Sequence, residues 1–325
     1  DEAAVVLVLH HVLADGIAAL AILSDLAGPA SAGEAGFPRP LPGWAALLAD
    51  NLTGRLRGLA RLPQRAARLV AGVAVLRTPT ARAAPTSLNR PTGGRRRMAT
   101  VHCPLDEALA VARAHGATIN DLVLVVIAEA LGGLAAARGE RLPSVVVSVP
   151  VSSRRATSGT DLGNQTGVMP VSVPASGDRV VRLRTVAAVT RRAKALPAAA
   201  STALLGPWFR WLARLGLFRW FTDHQRLVHT FATNLRGPAQ RLRLGGLEAT
   251  GLVPMSVTTG NIAAAFATLS YAGDLGITIM ADPEALPELD RLRDGLDTAL
   301  RGFLAIRPVA APGALGAPGG GGPER

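Results

Sequence analysis

The chain has 325 residues, 49% of them apolar and 18% charged, with a net charge of +12. That balance excludes a disordered polymer, and the length suffices for one large or two medium domains. The single cysteine, Cys103, excludes a disulfide framework and a cysteine-rich zinc site, and no metal is expected. Nearly all the positive charge is arginine, Lys194 being the only lysine, as in translated GC-rich DNA. A basic chain is still drawn to anions such as coenzyme phosphates or anionic lipid. Nucleic acid is not an expected partner, because the basic clusters carry neither a recognition motif nor an aromatic platform.

In chain order, residues 3–10 read as a buried strand and Gly16 to Leu26 as an apolar helix. Pro and Gly crowd residues 28–43, a loop. Leu52, Leu56, Leu59, Leu62, Ala66, Leu69 and Val73 then recur at helical spacing, with Arg55, Arg61, Arg65 and Arg68 on the more polar side and a kink at Pro63. Residues 77–98 hold prolines and glycines without an apolar period, which marks a crossing between domains. A short helix over 104–115 closes at Gly116. In "TIND", Thr118 and Asp121 form a capping-box start for the next helix. Its apolar run, Leu122 to Ala137, is 16 residues long and contains Glu129, too short for a membrane span.

"SVVVSVPVS" and residues 167–173 read as strands, 179–196 as a helix, and 201–222 as an apolar, aromatic helix. Further strands are expected near 229–234, 247–253, 262–271 and 275–281. A closing helix places Leu289, Leu292, Leu296, Leu300 and Phe303 on one face. The tail 308–325 is a Gly/Pro segment expected to be disordered. Strands and helices mixed without strict alternation predict a mixed α/β or α+β architecture.

The stretch "VVLVLHHVLADGIAALAIL" carries the chemistry. Strand alternation sends His10 and His11 to opposite faces, so one can face a cavity while the other packs behind it. Asp15 closes the turn and can fix the loop by accepting hydrogen bonds; Gly16 lets the backbone enter the helix tightly. A neutral imidazole is suited to take a proton from an alcohol or amine. No serine elbow or partner cysteine lies nearby, so the simplest scheme is direct attack of a His-activated nucleophile on an acyl donor.

"HHVLADG" resembles the signature of the coenzyme-A- and carrier-protein-dependent acyltransferases. "LNRPTGGRRRMA", "ATINDLVLVVIAEAL", "VVVSVPVSSR" with "LGNQTGVMPVSVP", "TNLRGPAQ" and "LSYAGDLGITIMAD" follow in order. Together they look like the bacterial wax ester synthase/acyl-CoA:diacylglycerol acyltransferase family, from Asp1 to about Leu304. The resemblance implies an α/β (mixed α+β) fold of two chloramphenicol-acetyltransferase-like domains, the first incomplete here, with the active-site channel between them. It divides the chain into 1–76, the remainder of the first domain; the crossing 77–98; the second domain, 99–307; and the tail 308–325. It also implies that His11 is the general base, with His10 supporting and Asp15 structural. Asn120 and Asp121 match the family's Asn-Asp motif, where Asn120 can orient substrate or an oxyanion. Asn234 either lines the channel or belongs to a turn before Gly237-Pro238.

The implied co-substrate is a long-chain acyl-CoA, with no bound cofactor, and the acceptor is diacylglycerol or a fatty alcohol. Thr233 stands where relatives often have Ser. The family's segment upstream of the histidine motif, including a Pro-Leu-Trp motif, is not in this sequence, so the chain is expected to be a fragment. "WFRWLARLGLFRWF" at 208–221 mixes aromatics with Arg210, Arg214 and Arg219. It is read either as a helix docking on a membrane or lipid droplet, which would place the protein at the inner face of the plasma membrane, or as a domain-packing helix. Arg95–Arg97 and Arg154–Arg155 are read as possible coenzyme phosphate contacts or as solvated pairs. Two other readings stand beside the first: a condensation-type enzyme with a carrier-protein donor, and a non-catalytic lipid-binding remnant. Nothing in the sequence specifies an oligomeric state.

Overall fold

The computed structural model describes residues 3–10, 14–27, 42–60, 83–152, 166–195, 209 and 211–306. Its centre is a six-stranded mixed sheet, a mixed α+β arrangement. The strands are β1 (Arg97–Pro104), β2 (Ser144–Ser152), β3 (Thr166–Pro174), β4 (Thr230–Arg236), β7 (Ala264–Tyr271) and β8 (Asp274–Ala281), in the order β1-β8-β7-β4-β2-β3. A two-residue hairpin, β5 (Arg243–Leu244) with β6 (Leu247–Glu248), stands apart. The helices are α1 (Gly16–Ala27), α2 (Trp44–Ala60), α3 (Leu105–Ala114), α4 (Ile119–Ala137), α5 (Arg179–Ala195), α6 (Phe218–His224) and α7 (Leu289–Leu304).

One face of the sheet carries α3, α4, α5 and α7. Register shows why: Val101, Ile277, Thr268 and Asn234 share that face, as do Ile279, Phe266 and Ala232. Their apolar members join Leu122, Leu124 and Ile127 of α4 and Leu292, Leu296 and Phe303 of α7 in one core. With 19 residues, α4 is long and apolar enough to cross a bilayer, reaching back to Ile119 beyond the run read from sequence. Here it is the core helix, buried against the sheet and α7.

Strand direction defines two ends. β2, β4 and β7 are parallel, and β1, antiparallel to β8, runs with them. Pro104, Arg236 and Tyr271 therefore mark one end. α4 runs the opposite way, since Arg138 at its C-cap pairs with Glu288 just ahead of α7, beyond the close of β8. α5 is antiparallel to α4: Arg179 and Arg182 in its first turn meet Glu129, and Thr190 near its other end meets Asp121. The start of α4 thus sits at the end where β4 and β7 finish.

Several expectations need correction. Residues 3–10 do not form a buried strand: Val5, Val6 and Val8 are exposed, and no ladder joins this stretch to a described strand. A β-branched run becomes a strand only beside a neighbour that completes its hydrogen bonds, and no described strand lies alongside. Residues 97–104, given no strand by sequence, form the edge strand β1. Its alternation is legible on one side alone, through Val101 and Cys103. The helix expected from Leu52 already begins at Trp44 and is described to Ala60; the rest of that stretch lies outside the described residues.

The aromatic helix is broken. Gly216 adopts a left-handed φ of 69°, Gly216 N–H bonds to Ala213 O, and Leu217 N–H bonds back to Leu212 O at 2.8 Å. This termination pattern lets α6 start afresh at Phe218. The strand expected over 247–253 is only two residues long. Within the stretch 77–98, Asn89 Nδ2 donates to the carbonyls of Val228 and His229, just ahead of β4, and of Asn261, ahead of β7.

Candidate active site

Asp15 caps α1. It precedes the first helical residue, it is 4% exposed, and its Oδ1 accepts from Ala18 N–H at 3.1 Å, satisfying one of the donors that a helix start leaves open. Gly16 lies against β4: a Cβ added there would stand 3.0 Å from Leu235 Cδ1. The turn of the histidine motif is therefore seated beside the "TNLRGP" strand, 219 positions later in the chain. His10 is exposed, and its carbonyl accepts from Ala14 N–H at 3.4 Å. His11 lies outside the described residues.

At the start of α4 the two motif residues are used differently. Asp121 is 1% exposed; its Oδ2 accepts from Thr118 N–H at 2.8 Å and from Thr118 Oγ1 at 2.7 Å, and its Oδ1 from Thr190 Oγ1 at 2.6 Å. Thr118 Oγ1 in turn accepts from Asp121 N–H, completing the capping box. The carboxylate is fully engaged in holding helices. Asn120, half-buried, has its side-chain nitrogen shielded from solvent with no hydrogen-bond partner. It is the member of the pair with a donor to spare.

Asn234 is in β4 rather than a turn, half-buried and in register with Thr268, on the helix-bearing face. Leu235, next along, meets Gly16 on the opposite face. Asn120 and Asn234 therefore share one end and one side of the sheet, and the end of β4 separates them from the motif turn. Sequence reasoning passed over His115, which continues the buried α3 stripe of Ala108, Val111 and Ala112; both its ring nitrogens are buried without a partner. The helical spacing was visible, but a histidine on an apolar face reads as packing. Thr190 and Leu235 were missed as well, since nothing local links them to Asp121 or Gly16.

Arg96 is spent on Asp282, 3.3 Å away, and on the carbonyls of Gly93, Arg95 and Thr258; Arg97 pairs with Asp290 at 3.6 Å. Both lie where β1 starts, away from the end described above; Arg154 and Arg155 are outside the described residues. Phe209, Phe218 and Phe221 cluster, with centroids 5.5 and 5.8 Å apart, while Trp211 and Trp220 are 52% and 63% exposed. Trp208 and Arg210 are outside the described residues. Among the described residues no three His, Cys, Asp or Glu side chains converge as metal ligands would.

The wax ester synthase/diacylglycerol acyltransferase catalytic domain matches residues 1–123, and the C-terminal domain of the same family matches residues 162–303. A Mycobacterium tuberculosis protein named a probable diacylglycerol O-acyltransferase is 32% identical over 327 residues, spanning 92% of this chain and 67% of its own length. The solved wax ester synthase/diacylglycerol acyltransferase of Marinobacter aquaeolei aligns with a TM-score of 0.54 at 23% identity, over 74% of this chain and 56% of that one. The condensation domain of the monacolin K polyketide synthase aligns with a TM-score of 0.56 at 14% identity, over 92% of this chain and 68% of that one. These two structures share the fold.

Proposed function

Because this chain belongs to the wax ester synthase/diacylglycerol acyltransferase family, we propose that it moves a long-chain acyl group from acyl-CoA to diacylglycerol, to a fatty alcohol, or to both. His11 takes the proton from the acceptor hydroxyl. The alkoxide attacks the thioester carbonyl, and the tetrahedral intermediate collapses to the ester. Coenzyme A leaves as a thiolate and recovers the proton from the imidazolium. Asp15 keeps the loop in place by capping α1, and Asn120 supplies a hydrogen bond to the oxyanion. The observation that carries this reading is the seating of the motif turn on Leu235 of β4, the residue after Asn234, at the same sheet end as the unpartnered Asn120 nitrogen.

The acceptors are lipids, and the exposed Trp211 and Trp220, with Arg214 and Arg219 nearby, are suited to a membrane or lipid-droplet surface at the cytoplasmic face. Flotation with anionic liposomes tests this: replacing both tryptophans with Ser should abolish it, and unchanged flotation would sink it. The central experiment follows coenzyme A release from palmitoyl-CoA with hexadecanol, dioleoylglycerol or no acceptor, for the protein and for its His11→Ala variant. Release that needs an acceptor and vanishes in the variant supports the proposal. Silence with acyl-CoA but turnover with an acyl carrier protein would favour the condensation-type reading. A folded protein that binds lipid and never turns over would be a remnant.

A further inference from the structure

We infer that Tyr271 is a positioning residue: its hydroxyl is built into the base of the β5–β6 hairpin and through it holds α1, the helix behind the histidine motif. The kinetic part rests on the acyltransferase reading above.

Tyr271 is the last residue of β7, at the site end of the sheet; it is 5% exposed and is the chain's only tyrosine. Its hydroxyl accepts from Leu242 N–H at 2.8 Å and donates to Ala249 O at 2.8 Å. These two groups face each other across the hairpin, because Ala249 N–H donates to Leu242 O at 2.8 Å, one step beyond the Arg243–Glu248 pair. In an ordinary antiparallel rung such a pair exchanges both bonds directly. Here the second bond passes through the phenol, which spreads the rung and ties the hairpin to β7.

The hairpin is short, with Gly245 and Gly246 at φ 57° and 86° forming its tight turn, so a shift at its base moves it as a unit. β5 packs against α1, and the start of α1 rests on Leu235. α1 is thus supported at two places, both anchored in the ends of adjacent strands. β4 and β7 stay joined past their ladder, since Gly237 N–H bonds to Ser270 O at 2.9 Å and Ala272 N–H to Pro238 O at 3.0 Å. Without the hydroxyl, Leu242 N–H and Ala249 O either stay unpaired or close onto each other. Either way the hairpin loses its tie to the sheet, and α1 loses one support.

The test compares the parent, Tyr271→Phe and Glu248→Ala; the last removes only the exposed Arg241–Glu248 ion pair of the same hairpin. Amide hydrogen exchange is followed over residues 16–27 and over β7 and β8, alongside kcat and KM for palmitoyl-CoA. Tyr271→Phe should speed exchange in α1 while leaving β7 and β8 protected. It should lower kcat on the order of tenfold with little change in KM, as expected when a reacting group is displaced but binding is not. Glu248→Ala should match the parent in both. Unchanged α1 exchange, faster exchange spread over the whole sheet, or α1 exchange that rises with kcat intact would each overturn the inference. A parent protein silent with every acyl donor would instead sink the acyltransferase reading, and the exchange comparison would still decide whether the phenol holds α1.

Discussion

Replacing Asn120 and Asp121 by Ala, each alone, should separate serving the reaction from holding the fold. Asp121→Ala removes the half of the capping box that the carboxylate supplies, while the Thr118 side chain keeps its bond from the backbone at 121. The Thr118 N–H, which the carboxylate accepts at 2.8 Å, loses its partner, which costs about 1–3 kcal/mol. Thr190 Oγ1 has Ala187 O at 3.3 Å as a fallback and contributes little more. That cost is a large fraction of the roughly 5–15 kcal/mol that holds a domain together. Asn120→Ala removes a nitrogen with no partner, so stability should change by less than about 1 kcal/mol. If that nitrogen meets the oxyanion, kcat should fall by about 10²–10³. Urea midpoints and coenzyme A release read the two effects separately. Loss of under about 1 kcal/mol for Asp121→Ala, or full kcat for Asn120→Ala, would refute the division of roles.

Three further outcomes follow from single sites. His229 is buried as the neutral ring, with Nδ1 accepting from Val146 N–H at 2.8 Å and Nε2 3.0 Å from Ala84 O. Burial lowers its pKa below 6.5 despite the bond to Ala84, so its contribution is complete above 6.5 and lost as pH falls through the lowered value. The thermal midpoint should therefore drop between pH 7 and 5, and a His229→Gln variant should be flat there. For Glu129, burial raises the pKa, but hydrogen bonds from Arg179 and Arg182 outweigh it and hold it below 4.5. Glu129→Ala leaves the Arg182 side chain, 4% exposed, without its carboxylate and should cost about 3 kcal/mol in urea unfolding. Burial, then Asp274 and Glu107, push the Cys103 thiol up to about 12, so it should resist alkylation at pH 8 in native protein and react at once in urea.

Local chemistry was readable wherever one segment satisfies its own needs. Thr118 and Asp121 announced the start of α4 because a capping box closes within four residues. The α7 stripe and the apolar strands followed from spacing, since a helix and a buried strand each sort their own side chains. The unread elements depend on neighbours. β1 exists because β8 offers it a ladder, while residues 3–10, richer in β-branched side chains, have no described strand beside them. The break at Gly216 needed a backbone bond back to Leu212 that composition does not announce.

The sequence by itself determined the reaction class to expect and the residue types that would serve it: paired histidines before Asp-Gly, an Asn-Asp pair at a helix start, and family motifs in order. It determined most of the core as well, because burial follows hydrophobic pattern. Only the tertiary structure decided that the other oxygen of Asp121 is taken by Thr190, leaving Asn120 as the member of the pair with an unpartnered donor. It alone seated Gly16 on Leu235 and set a tyrosine hydroxyl into a hairpin rung. Those are contacts between residues 22 to 219 positions apart or, for Asp121 and Thr190, 69 apart. Periodicity carries no information about them, because which distant groups meet is settled by how strands register and helices pack, not by the order of neighbours along the chain.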